Sequence, residues 1–125
     1  MASILYIPPV NGMEQYFRAL LEIALPHKKC EICRSFEELS QKLRNPHSNV
    51  KVAVLFASNR GEVTQILSLG DLLEDVKIIL VLADEDKETM LKVHTLRPRY
   101  VTWMDCDLSE VVNVLKRMVG LYDSM

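Results

Sequence analysis

Val50-Lys-Val-Ala-Val-Leu-Phe-Ala57 and Val76-Lys-Ile-Ile-Leu-Val-Leu-Ala83 are almost continuously apolar and rich in β-branched side chains. A strand with one wet face alternates polar and apolar residues, whereas a strand covered on both faces is apolar at nearly every position. Both runs therefore read as central strands. Between them Val63, Ile66, Leu67 and Leu73 recur at helical spacing, with Ser58 or Asn59 as cap and Gly70 marking a break or end. Two strands joined through a helix must pair in parallel by a crossover, which is right-handed.

The same cycle repeats outward from this unit. Towards the N-terminus, Ile4 to Ile7 reads as a strand that runs into Pro8-Pro9, where the missing N–H groups end pairing. After the Asn11-Gly12 turn, Met13, Phe17, Leu20, Leu21 and Ala24 form a helical stripe stopped by Pro26. Cys30 to Cys33 is the weakest strand, and Lys28, Lys29, Glu31 and Arg34 around it suit an edge. Ser35 and Glu38 have capping-box spacing ahead of Phe36, Leu39 and Leu43, and Asn45-Pro46 ends that helix.

Towards the C-terminus, a helix is predicted from Lys87 to about Leu96 behind Asp84-Glu85-Asp86, with Met90 and Val93 inward and Pro98 closing it. Tyr100 to Met104 is the last strand. Asp107 and Glu110 repeat the capping-box spacing, and Leu108, Val111, Val112, Leu115, Met118, Val119 and Tyr122 give the longest stripe on the chain. The expected architecture is α/β, with a parallel sheet between two helical layers.

At 125 residues, 49% of them hydrophobic and 26% charged, the chain fits one domain over 1–125 that buries its own core. A net charge of −2 gives no electrostatic reason to expect nucleic acid or an anionic membrane as partner. No apolar run approaches the ~20 residues of a bilayer span. The three cysteines, Cys30, Cys33 and Cys106, form an odd set in a chain that needs no disulfides. A cytoplasmic location is expected. Cys30 and Cys33 match C-x-x-C, but inside a strand residues three apart point to opposite faces, so half-buried structural cysteines are the simpler reading.

This (βα)5 layout resembles the receiver domain of bacterial response regulators, whose flavodoxin-like fold implies a five-stranded sheet in the order 2-1-3-4-5. Lys77 to Ala83 is similar to the family's fourth strand, Tyr100-Val101-Thr102-Trp103 to its fifth, and Asp107-Leu108-Ser109-Glu110-Val111-Val112 to the opening of its last helix. In that family an acidic pair after the first strand holds Mg²⁺ and an aspartate ending the third accepts phosphate. A hydroxyl ends the fourth strand and a lysine the fifth. Carried over, these positions fall on Pro8 and Pro9, on Phe56 or Ala57, on Leu82 or Ala83, and on Trp103. Prolines offer no side-chain ligand to a hard cation, and neither Phe56 nor Ala57 forms an acyl phosphate. The resemblance thus implies a degenerate pocket of Pro8, Pro9, Phe56, Leu82 and Trp103, a pseudo-receiver without phosphoacceptor. Its switch aromatic is kept as Tyr100.

Other chemistry has little support. There is no G-x-G-x-x-G for a dinucleotide and no hydroxyl- and glycine-rich phosphate loop for a flavin, so no cofactor is expected. Ser58, Asn59, Arg60 and Gly61 could offer amides and a cation to an anion at a helix start, although a simple cap explains them as well. Asp84, Glu85, Asp86, Asp105 and Asp107 follow neighbouring strands, yet acids before helices are favoured by the dipole alone, and no metal is expected. His27, His47 and His94 lie on separate elements with no nucleophile spaced to them. The chain is expected not to be an enzyme.

A signalling module acting through a protein partner, and capable of homodimerising, is the leading expectation. By resemblance its face would combine the last two helices and the fifth strand, with Arg97, Arg99, Tyr100, Trp103, Lys116 and Arg117 as candidates, residue types enriched at interface hot spots. The alternative is a small-molecule or anion-binding domain using the crevice after strands one and three, at Pro9 to Gly12 and Ser58 to Gly61.

Overall fold

Strands that are apolar on both faces take the middle of the sheet. The computed structural model describes residues 2–6, 15, 16, 18, 19, 22, 30–45, 50–83, 86–103 and 107–123. Its strands are β1 (Ala2–Tyr6), β2 (Cys30–Cys33), β3 (Val50–Ala57), β4 (Lys77–Leu82) and β5 (Tyr100–Trp103). They form one sheet in the order β2-β1-β3-β4-β5, every pair parallel. This is the predicted order. β3 and β4 lie inside, and from Val52 to Ala57 and Ile78 to Leu82 every side chain is buried.

The helices are α1 (Phe36–Arg44), α2 (Arg60–Leu67), α3 (Lys87–Val93) and α4 (Leu108–Asp123). Gln15, Tyr16, Arg18, Ala19 and Glu22, which lie between the stripe positions of the first predicted helix, are also helical, while Met13, Phe17, Leu20, Leu21 and Ala24 lie outside the described residues. Two predicted helices end sooner than their stripes. α2 stops at Leu67, and Leu73 belongs to a separate 3₁₀ turn, Gly70–Leu73. α3 stops at Val93 and tightens into the 3₁₀ turn His94–Leu96. Both turns keep their leucines on the core, so an apolar stripe persists where the α-helical bonds do not.

The two-residue period of the strands divides the core in two. Val52, Val54, Phe56, Ile79 and Val81 pack beneath Leu108, Val111, Val112, Leu115 and Met118 of α4. Ala53, Leu55, Ala57, Ile78, Leu80 and Leu82 face the opposite layer, meeting Leu39 of α1, Val63 and Ile66 of α2 and Val93 of α3. Burying each large aliphatic side chain contributes roughly 1.5–3 kcal/mol, so the stripe of α4 is a major anchor of its layer. Among the described residues no helix is long and apolar enough to cross a membrane.

Candidate functional site at the carboxyl ends of the strands

Ligands of open parallel sheets bind where the strands end and the chain turns into helices. At that level the register pairs Ala57 with Leu82 and Leu82 with Trp103. One cross-strand row therefore reads Ala57, Leu82, Trp103. Ala57 and Leu82 are each 1% exposed, and Trp103 is half-buried against the same core. Phe56 points the other way, into the layer under α4, and Ala83 is exposed just beyond β4. Of the alternatives left open by the sequence, Ala57 and Leu82 share a row with Trp103; Phe56 does not. Pro8, Pro9 and the rest of the first strand-to-helix loop, up to Gly12, lie outside the described residues.

The loop after β3 is built around a carboxylate. Asn59 caps α2 by accepting the Glu62 N–H at 2.9 Å. Glu62 reaches back, accepting the Ser58 N–H at 2.7 Å and the Ser58 hydroxyl at 2.8 Å. Ser58, one of the four residues read as a candidate anion site, thus gives both its donors to the chain's own carboxylate. Asn59 and Glu62 have capping-box spacing, the signal by which the sequence could have revealed this role. The loop after β2 repeats the device: Ser35 Oγ accepts the Glu38 N–H at 3.2 Å and Glu38 accepts the Arg34 N–H at 3.1 Å. Burial, and then the negative charge of Glu62, push the Tyr6 phenol above its usual range.

Asp86 plays the matching part after β4. It caps α3, accepting the Thr89 N–H at 3.3 Å and the Thr89 hydroxyl at 2.8 Å. The Arg60 guanidinium lies 3.1 Å from the same oxygen, tying the start of α2 to the start of α3. Thr89's side-chain hydrogen bond, foremost, holds the Asp86 carboxyl below the usual range, with Arg60 adding to it. Behind the ion pair is a cleft of about 260 Å³ lined by Ala57, Ser58, Val63, Leu82, Ala83 and Thr89, among others. It opens between β3 and β4, not between the first and third strands.

Asp107 departs from the predicted capping box: its carboxylate accepts the Ser109 N–H at 3.0 Å, and the Glu110 N–H goes to Asp107's backbone carbonyl at 2.9 Å. The short turn brings Ser109 nearer than Glu110, and this bond lowers the Asp107 pKa. Asp84, Glu85 and Asp105 lie outside the described residues, as does Cys106. Among the described residues, no group of three or more His, Cys, Asp or Glu side chains is placed to hold a metal. Cys33 is buried, and desolvation, foremost, pushes its thiol up to about 11, the reverse of an activated nucleophile.

The residues of the candidate partner face are distributed over both sides of the edge strand β5 and over α4. Tyr100 packs on the α4 layer and Trp103 on the opposite one, because residues three apart on a strand cannot share a face. Lys116 and Arg117 are exposed on α4. Arg97 and Arg99 precede β5 and line a groove at the other end of the sheet.

Parallel order 2-1-3-4-5 with helices on both faces is a flavodoxin-like α/β fold, the fold that receiver domains share. Neither a family model nor a curated protein matches the sequence. Solved structures do. One is a CheY-like response regulator receiver domain protein from Methanospirillum hungatei JF-1, with 13% identity, a TM-score of 0.77, and 99% of this chain covered against 98% of that one. Another is the signal receiver domain of an HD-domain-containing protein from Pseudomonas fluorescens Pf-5, at 17% identity and TM-score 0.76, with the same coverage. An orphan response regulator of H. pylori is similar at 9% identity and TM-score 0.67, covering 93% of this chain and 94% of that one.

Proposed function

We propose that residues 1–125 act as a single pseudo-receiver domain, a non-enzymatic signalling module that works by protein–protein recognition without being phosphorylated. The observation that carries this reading is the row Ala57, Leu82, Trp103. It crosses the strand ends where, by resemblance, a receiver places its phosphoacceptor, hydroxyl and lysine. None of the three side chains can form an acyl phosphate, and both strand-end aliphatics are sealed in the core. Phosphoryl transfer is a matter of positioned charge and metal, and this row holds apolar side chains instead.

The reading is tested by titrating the protein with Mg²⁺ and beryllofluoride while following Trp103 fluorescence and amide shifts. The expected result is no saturable change in the loops after β1 and β3; a saturable change there overturns it. A second reading draws on the 260 Å³ cleft between β3 and β4, whose apolar floor suits a small molecule. A molecule that co-purifies with the native protein and shifts the Ala57, Val63 and Thr89 resonances would favour it.

A further inference from the structure

A second groove lies at the end of the sheet away from this rim. It measures about 880 Å³ and is open to solvent. Its first wall comes from the connection into β4 and carries Asp71, Glu74 and Asp75, all exposed. Its second wall comes from the connection into β5 and carries Arg97 and Arg99, also exposed. The walls meet at the base, where a Cβ on Gly70 would stand 3.7 Å from Leu96 Cδ2.

Both walls are stiff. The Leu72 and Leu73 N–H groups donate to the Leu69 carbonyl at 2.9 and 3.1 Å, and the Val76 N–H to Leu73 at 3.1 Å. The Arg99 N–H donates to the Ile78 carbonyl at 2.8 Å, fastening the basic wall to β4. Arg97 has φ 53°, a left-handed conformation that costs a non-glycine residue energy, and its N–H is held by the His94 carbonyl at 3.0 Å. Yet among the described residues no ion pair joins the two walls, and Asp71, Glu74, Asp75, Arg97 and Arg99 pair with nothing else.

We propose that this groove is a self-association surface, in which the acidic wall of one copy of the chain pairs with the basic wall of a second. An occupant that satisfies both walls must present both signs in the reverse order. The groove itself does so under a twofold rotation, the self-complementarity that an isologous dimer requires. A purely acidic or basic partner would leave one wall facing like charge, at a cost in affinity. This surface is separate from the apolar rim, so its failure would leave the pseudo-receiver reading standing, and the reverse also holds.

Light scattering and sedimentation on the intact chain test it. The wild type is expected to dimerise, with a dissociation constant that rises about tenfold or more between about 0.05 M and 0.5 M salt. Arg97→Asp with Arg99→Glu, and separately Asp71→Lys with Glu74→Lys and Asp75→Lys, should each give monomers with an unchanged circular dichroism spectrum. Aspartate is chosen at 97 because it tolerates left-handed backbone. Mixed in equal amounts, the two charge-reversed chains should recover a heterodimer. Should either fail to fold, Arg97→Asn with Arg99→Gln should still weaken the dimer. Lys116→Glu with Arg117→Glu should leave it intact. A wild type that stays monomeric, a dimer that survives both reversals, or a mixture that does not associate would overturn the proposal.

Discussion

The two ends of the sheet use charge in opposite ways. At the carboxyl ends, Glu62 and Asp86 are spent inside the molecule: one holds Ser58, the other Thr89 and Arg60. At the amino ends, Asp71, Glu74, Asp75, Arg97 and Arg99 face one another across a groove without pairing. A carboxylate engaged by its own loop stabilises the fold and is withdrawn from outside ligands. An unengaged one contributes little to folding and stays available for association. Among the described residues, the engaged carboxylates Glu62 and Asp86 lie at the carboxyl ends, and the unengaged charges of the groove at the amino ends.

The sharpest way to break this contrast is to cut one side chain at each end. Phe56→Ala removes a ring that is fully buried beneath α4, and should cost about 3–5 kcal/mol in urea unfolding. Arg99→Ala removes an exposed side chain and should change stability by no more than about 0.5 kcal/mol. Similar losses at the two positions would show that the amino-end groove is part of the core's support after all.

Much of the carboxyl end was legible because the signals there are local. The runs at 30–33 and 50–57 became strands at their predicted bounds, and Asn59 was one of the two predicted caps. At the first strand β1 begins at Ala2, ahead of the apolar run Ile4 to Ile7, because Ala2 and Ser3 pair with the neighbouring strands; Ile7 lies outside the described residues. The two-residue period of β5 sets Tyr100 on the α4 side and Trp103 on the other. The groove was invisible for a different reason. Its walls are two connections more than twenty positions apart, brought together only by the β4–β5 pairing, and neither has a periodic pattern.

A smaller effect sharpens the comparison through the carboxylates alone. Glu62→Gln keeps the size of the side chain but weakens both of its bonds to Ser58, one of them from a backbone N–H in a part-buried position. Charge-assisted hydrogen bonds contribute about 1.5–3 kcal/mol, so a loss of about 1–2 kcal/mol is expected by chemical denaturation. Glu74→Gln, on the groove, should be close to neutral for stability while weakening self-association. If Glu74→Gln proves the more damaging to stability, the assignment of structural charge to the carboxyl ends is wrong.

The smallest effect is a pH dependence, and its sign follows from the lowered pKa of Asp86. A carboxylate whose folded pKa lies below its unfolded value stabilises the native state fully above the unfolded pKa, and that stability disappears as the pH falls through the folded one. With an ordinary value of 3.8, the loss belongs to pH below about 4, where protonation removes the acceptor of the Thr89 hydroxyl and the partner of Arg60. Urea midpoints measured from neutral pH down through this window should decline less steeply in Asp86→Asn than in the wild type. Asp107→Asn should flatten the same limb, because the Ser109 N–H lowers that pKa in the same direction. An acid limb that is as steep in Asp86→Asn and Asp107→Asn as in the wild type would mean that these caps do not carry the stabilising charge assigned to the carboxyl ends.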